Sequence, residues 1–139
     1  RLKKGGSVLV NGKTVRIEDV GKRMPGQTFA YVMDTRLCPA VFDLASRADM
    51  LLMEATFLSD LEDKAREYGH LTAAQAGQIA SDCGVKLLVI SHYSQRYLAP
   101  DALEEEASRF HPLVRAAADG DRIDLPRRRR DIPADAEGG

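Results

Sequence analysis

The chain has 139 residues, of which 44% are hydrophobic and 29% are charged, so it can bury one core but is too short for two ordinary domains. Its net charge of -1 leaves no global positive field, and any recognition of phosphate groups must therefore be local. Its longest apolar runs, about five residues, are far too short to span a membrane. With no signal-peptide core in its first residues and only 2 cysteines, the sequence predicts a cytoplasmic protein without a membrane segment.

The first predicted elements are a hairpin and a buried strand. Residues 7–10 and 13–17 flank Asn11-Gly12, a dipeptide suited to the positive φ values of a two-residue turn. After a loop over 22–27, the continuous apolar run at 29–33 predicts a strand that is buried on both faces. The sequence therefore predicts a small antiparallel unit followed by the first strand of a core sheet.

Strands and helices are then predicted to alternate. Pro39 suits the first turn of a helix, and a strand over 50–53 and an amphipathic helix over 59–68 follow it. Thr72 and Gln75 form a capping-box pattern, which predicts a helix that ends near Gly84. The remaining predicted elements are a strand over 86–91, a helix over 100–110, a strand over 113–118, a turn at 119–121, a final hairpin strand over 122–125 and a disordered tail over 127–139.

Three of these strands lead into residues that bind metals or transfer protons, namely Asp34, Glu54 and His92. In open α/β sheets the ligand crevice lies beyond the carboxyl ends of the strands, so these three side chains can converge on one point. His70 precedes a predicted helix N-terminus, whose free amides favour an anion, and it can therefore act as a general acid beside a phosphate. The pattern indicates an active site.

Each candidate also has an ordinary structural explanation. Asp34 can cap a turn, His70 can lie in a capped loop, and a single histidine such as His92 can be a satisfied structural residue. Ser94 and Arg96 follow His92 closely and can present hydrogen-bond donors to phosphate oxygens. The spacings alone do not decide between these alternatives.

Taken together, four segments resemble ribonuclease Z, the family that processes tRNA 3′ ends. They occur in the same order and at similar intervals, and they are Met33-Asp34-Thr35-Arg36, Glu54-Ala55-Thr56-Phe57, Gly69-His70-Leu71-Thr72 with Gln75-Ala76, and Ser91-His92-Tyr93-Ser94-Gln95-Arg96-Tyr97. The resemblance implies an α/β fold, a metallo-β-lactamase-like αββα sandwich, of which residues 1–126 form about the C-terminal half. It further implies a zinc-dependent endoribonuclease that removes the 3′ trailer from precursor tRNA, with two zinc ions in the complete enzyme.

The resemblance also assigns roles to individual residues. Asp34 matches an aspartate that bridges the two zinc ions, and His92 matches a histidine ligand of one of them. His70 matches the histidine that protonates the leaving 3′ oxygen, and Glu54 matches a carboxylate that orients it. The positions that match contacts to the phosphates flanking the cut are Thr72, Ser94 and Arg96.

One feature of the family is absent from the sequence, its His-x-His-x-Asp-His motif of zinc ligands. The chain has 3 histidines, one of which, His111, is expected at the surface, and two zinc sites need about three protein ligands each. We therefore expect this chain to be a C-terminal half that is inactive without the missing N-terminal half. The resemblance also implies that the protein is a homodimer.

Two other functions remain open at the level of sequence. The same fold can serve a small-molecule phosphodiesterase or sulfatase, because fold alone does not select the substrate. Alternatively, the chain can be a non-catalytic scaffold half-domain. A cleavage assay on precursor tRNA distinguishes both from a tRNA nuclease.

Overall fold

The computed structural model of the chain describes residues 6–21 and 26–126. The predicted disordered tail, residues 127–139, lies outside the described residues, as does part of the predicted loop at 22–27. The predictions for the remaining elements can be compared with the structure directly.

The predicted first hairpin is confirmed. Strand β1, Ser7–Val10, pairs antiparallel with β2, Lys13–Arg16. The turn residues Asn11 and Gly12 have φ values of 49° and 78°, which is the left-handed conformation that a two-residue hairpin turn requires. A single helical turn, α1, Ile17–Val20, follows the hairpin.

The core is a four-stranded parallel sheet with the strand order β3-β4-β5-β6. Its strands are β3, Phe29–Val32; β4, Met50–Glu54; β5, Leu87–Ser91; and β6, Val114–Ala116. Because every strand runs in the same direction, their carboxyl ends lie at one edge of the sheet. This arrangement places the residues that follow Val32, Met53 and Ser91 side by side.

The connections between the strands are mainly helical. They contain α2, Pro39–Ala45; a 3-10 turn, Ser59–Leu61, that leads into α3, Glu62–Tyr68; α4, Ala73–Asp82; and α5, Asp101–Ser108. The capping box is confirmed, because the Thr72 hydroxyl accepts from the backbone N–H of Gln75 and the Gln75 side-chain oxygen accepts from the backbone N–H of Thr72. None of the helices in the described ranges is long and apolar enough to cross a membrane.

The main hydrophobic core lies between the sheet and the helices on one of its faces. The side chains of Leu51, Met53, Leu88 and Ile90 point to this face and are 0% exposed. Helices α4 and α5 contact each other closely, because a Cβ added to Gly77 would lie 2.5 Å from the Ala107 carbonyl oxygen. This core fixes the strand ends on which the candidate site is built.

The prediction that the run at 29–33 is buried on both faces is wrong. Strand β3 is the edge strand, and it alternates between buried Ala30 and Val32 and exposed Phe29 and Tyr31, which are 52% and 60% exposed. A continuous apolar run indicates which residues are suited to burial, but it does not reveal whether this chain covers the second face.

The predicted final hairpin is also wrong. Strand β6 pairs in parallel with β5, and residues 122–125 form no strand after the turn at 119–120. Instead, Ile123 and Leu125 pack against the apolar cluster on the second face of the sheet, formed by Met50, Leu87 and Val89. Their alternating pattern therefore reflects packing onto the sheet rather than strand pairing.

His111 is buried, with 4% of its surface exposed, which contradicts its predicted position at the surface. The Pro112 that follows it suggested a solvent-exposed turn, but the residue closes the end of α5, where its amide donates to the Ala107 carbonyl oxygen. Burial lowers the pKa of the His111 imidazole below its ordinary value of 6.5.

Stability is therefore expected to fall as the pH drops below about 6.5, because the unfolded chain then binds a proton at His111 that the folded chain excludes. The stability that comes from the neutral His111 is fully present above about pH 6.5, and it is lost as the pH falls toward the lowered pKa of His111 in the folded chain. Thermal unfolding at pH 7 and pH 5 measures it, and His111→Phe should reduce the difference between the two melting temperatures. An unchanged difference in this variant would show that other groups cause the pH dependence.

Candidate metal centre

Four candidate residues meet at the carboxyl edge of the sheet. They are Asp34, Glu54, His70 and His92, and we call them the four-residue cluster. Each residue offers one possible metal-ligand atom, and these four atoms lie within 4.8 Å of one another. Asp34 follows β3, Glu54 ends β4, and His92 follows β5. The convergence that the strand ends predicted is therefore present in the structure, and His70 joins it from the loop between α3 and α4.

The loop that carries His70 is held against the end of β4. Helix α3 ends at Tyr68, and the φ of 78° at the capping residue Gly69 lets the chain reverse. The Thr56 amide then donates to the Leu71 carbonyl oxygen at 3.1 Å. Phe57 and Thr72 then form an isolated parallel bridge. These backbone contacts bring His70 beside Glu54, although it lies on no strand.

Glu54 is the buried centre of the cluster, with 0% of its surface exposed. Its Oε1 atom accepts from the Thr35 amide. Its Oε2 atom accepts from the Thr56 hydroxyl at 2.7 Å and the Leu71 amide at 3.0 Å, and it lies 3.0 Å from His70 Nδ1. A buried carboxylate is stable when such donors satisfy it, so Glu54 is suited to fix the two loops rather than to contact a ligand.

Thr56 connects Glu54 to His92. Its hydroxyl oxygen lies 2.7 Å from Glu54 Oε2, 2.9 Å from the His92 carbonyl oxygen and 3.1 Å from His92 Nδ1, but it has only one proton to donate. The ionised carboxylate is the strongest acceptor, so we assign the Thr56 hydroxyl as a donor to Glu54. His92 Nδ1 then carries a proton and donates it to the Thr56 oxygen. Nε2 of His92 is then the nitrogen that can bind a metal ion.

The two outer members of the cluster have unusual backbone conformations. Asp34 and His92 have φ values of 55° and 59°, in the left-handed region that non-glycine residues seldom adopt. The side chain of Asp34 is 75% exposed, and His92 is also exposed. Strain of this kind often occurs at functional sites, where it directs a side chain toward a ligand.

The donor set of the cluster suits a divalent metal such as zinc. It combines carboxylate oxygens with imidazole nitrogens, the ligand types that zinc binds besides thiolate. His70 Nδ1 lies 3.7 Å from Asp34 Oδ1, and the ring centroids of His70 and His92 are 5.3 Å apart. Glu54 is already satisfied by protein donors, whereas Asp34 and His92 are exposed and can be reached by a ligand from outside.

The predicted phosphate-binding residues lie at two places beside the cluster. Arg96 is exposed, and its Nε donates to Ser94 Oγ at 3.0 Å while its guanidinium lies 5.0 Å from the Phe57 ring centroid. Thr72 is 1% exposed, and its hydroxyl oxygen accepts from the Gln75 amide at the start of α4. Ser94 and Arg96 are therefore open to an anion, whereas Thr72 lies beneath the surface.

Sequence reasoning did not find Glu106, which supports the site from α5. Its buried carboxylate accepts from the Ser59 hydroxyl at 2.6 Å, the Ser59 amide at 3.1 Å and the Ala74 amide at 3.0 Å. It thereby joins the segment after Phe57 to the first turn of α4. In the sequence, Glu106 follows two other glutamates on a charged helix, and no signal separates it from them.

Comparison with known proteins agrees with this architecture. Residues 14–93 match the β-lactamase superfamily domain, and the chain belongs to that family. A solved structure of the metallo-β-lactamase fold protein YhfI from Bacillus subtilis is similar over 66% of this chain and 37% of its own, with a TM-score of 0.60 and 26% identity. The predicted α/β fold of the metallo-β-lactamase type is confirmed.

The predicted resemblance to ribonuclease Z is also confirmed. The chain is 51% identical to ribonuclease Z of Nocardia farcinica over 129 residues, which are 92% of this chain and 42% of the relative. It is 49% identical to ribonuclease Z of Streptomyces avermitilis over 82% of this chain and 38% of the relative. The short form of human tRNase Z is 33% identical, with a TM-score of 0.50 over 65% of this chain and 29% of its own. The chain thus spans about two fifths of the length of these curated relatives.

Proposed function

We propose that the protein carrying this sequence is a zinc-dependent endoribonuclease that removes the 3′ trailer from precursor tRNA. The observation that supports the proposal most is the four-residue cluster at the carboxyl edge of the sheet, in a chain 51% identical to a ribonuclease Z. The proposal includes a cytoplasmic location, as predicted from the sequence, and a homodimer, as the resemblance implies. The other two functions considered from the sequence gain no support from the relatives.

In this proposal, Asp34 and His92 would hold zinc, and Asp34 would serve both ions, as the resemblance implies. When bound, the ions activate water and stabilise the negative charge that develops on the phosphate. Two zinc sites need about three protein ligands each, more than the four-residue cluster of the described residues supplies, so the other ligands would come from the missing N-terminal half. The isolated chain is therefore expected to be inactive.

His70 is the general acid in this proposal, and Glu54 positions it. His70 Nδ1 carries a proton and donates it in a hydrogen bond to Glu54 Oε2, and this bond fixes the orientation of the ring. In the imidazolium form of His70, Nε2 also carries a proton, which it passes to the 3′ oxygen as the bond between that oxygen and phosphorus breaks, and the ring is left neutral with its Nδ1 proton on the bond to Glu54. Ser94 and Arg96 would bind the flanking phosphates, Arg96 through a charge-assisted hydrogen bond. The predicted phosphate contact of Thr72 would require its buried hydroxyl to leave the Gln75 backbone amide.

The test is cleavage of a precursor tRNA with a 3′ trailer by the full-length protein. We expect a 3′-hydroxyl on the tRNA and a 5′-phosphate on the trailer, loss of cleavage after chelation, and recovery on addition of zinc. Product mapping on a sequencing gel identifies both ends. Intact precursor together with turnover of a chromogenic phosphodiester would contradict the proposal and support a small-molecule phosphodiesterase.

A further inference from the structure

A cavity of about 400 Å³ lies beside the four-residue cluster, and the function proposed above does not use it. It is built at the carboxyl ends of β5 and β6, and its lining includes His92, Tyr93, Tyr97, Ala117 and Asp119. His92 thus belongs to both the cavity and the cluster. Its volume lies in the range of about 300–1,000 Å³ that is typical of small-molecule sites.

The two tyrosines of the cavity are held in place by hydrogen bonds. The Tyr93 hydroxyl donates to the Ile90 carbonyl oxygen at 2.5 Å, and the Tyr97 hydroxyl accepts from the Leu58 amide at 2.9 Å. Fixed aromatic rings beside a phosphate site are characteristic of sites that stack nucleic-acid bases.

The charges around the cavity separate a base from its phosphate. Asp119 lines the cavity from the exposed turn after β6, and its negative charge disfavours phosphate there, whereas exposed Arg96, four residues after His92, provides the cation. A nucleotide with its phosphate near Ser94 and Arg96 can therefore direct its base, but not its phosphate, toward Asp119. The cavity suits a base with hydrogen-bond donors on its edge.

We propose that this cavity binds the base of a nucleotide adjoining the cleaved phosphate and that Asp119 gives it a preference for guanine. This inference rests on the proposed function. Guanine offers two adjacent N–H donors, which a carboxylate accepts in parallel. Adenine and cytosine place an acceptor nitrogen beside their amino group, and the ring N–H of uracil lies between two carbonyl oxygens. Each of these three bases therefore sets a repulsive group against the carboxylate.

The direct test is an amide NMR titration of the 139-residue chain with guanosine, adenosine, cytidine and uridine 5′-monophosphates. We expect guanosine monophosphate to shift the signals of residues 91–100 and 117–119 and to bind about tenfold more tightly than the uridine nucleotide. Asp119→Asn should remove this preference, because the amide offers one acceptor and one donor in place of two acceptors. Asp43→Asn, a change at an exposed carboxylate on α2, is the matched control and should leave it unchanged.

Cleavage by the full-length protein gives a second measurement. Precursors with guanine or uracil on either side of the cut should differ in kcat/KM about tenfold at one of the two positions, and Asp119→Asn should abolish the difference. Equal affinities for the four nucleotides, or a preference that survives Asp119→Asn, would overturn the base site. In that case continued cleavage of precursor tRNA would leave the proposed function intact, whereas a precursor that stays uncut would reject that function separately.

Discussion

Replacing His70 with alanine in the full-length protein is expected to slow precursor tRNA cleavage by about 10²–10⁴-fold, the usual contribution of a general acid. Bound zinc should stay the same, because the proposed ligands Asp34 and His92 do not need the imidazole. The reason is geometric: His70 Nδ1 lies 3.0 Å from Glu54, which leaves only Nε2 to donate to the leaving oxygen. Single-turnover cleavage and metal analysis of the same samples measure the two effects.

A modified substrate makes this prediction more specific. If the bridging 3′ oxygen at the cut is replaced by sulfur, the leaving group needs no proton, and His70→Ala should then cleave nearly as fast as the unchanged protein. Exposed Tyr68, two residues before His70, provides a control through Tyr68→Ala, which should alter neither rate nor metal content. Equal losses of metal and turnover in His70→Ala would contradict the role as an acid.

The sequence predicts the meeting of Asp34, Glu54 and His92 for a simple physical reason. Each follows an apolar run, and parallel strands bring their carboxyl ends to one edge whatever the details of the connections. The capping box at Thr72 and the turn at Asn11-Gly12 are equally local, because a helix N-terminus and a tight hairpin each demand particular residue types.

The sequence could not predict the contacts that organise the site. Four donors converge on Glu54 from three separate segments, and Thr56 joins it to His92 across two strands. Such contacts depend on where loops lie in space rather than on any periodic pattern. Glu106 shows the same difficulty, because its position on a charged helix gives no sign of the amides that it accepts from.

The errors in the fold have a related cause. Apolar patterns indicate which side chains favour burial but not which surface covers them, so Phe29 and Tyr31 were predicted to be buried although they lie on an edge strand. Ile123 and Leu125 have the alternating spacing of a strand, but they pack onto the second face of the sheet. In both cases tertiary packing decides the outcome, and the local pattern is compatible with either.

Glu54→Gln is expected to have the second large effect, and it should damage stability, metal binding and cleavage together. The glutamine side chain has an NH₂ group in place of one carboxylate oxygen. In one orientation this group faces the Thr35 amide, and in the other it faces the donors on Thr56, His70 and Leu71, so donors meet donors in both. Leaving such buried groups unpaired costs about 2–4 kcal/mol in the free energy of unfolding. Because the Thr35 amide anchors the loop after Asp34, weaker zinc binding should accompany the loss of stability.

Three measurements distinguish two roles of Glu54, as an anchor for the loops around the site or as a partner of His70 alone. Urea unfolding of the chain gives the stability, zinc titration of the full-length protein gives the metal affinity, and the cleavage rate should fall at least as far as in His70→Ala. Glu105→Gln, at an exposed glutamate of α5 that pairs with Arg109, is the matched control and should change stability by less than about 0.5 kcal/mol. If Glu54→Gln slowed cleavage but kept full zinc affinity and stability, Glu54 would act only through His70, and the loops of Asp34 and Leu71 would need another anchor.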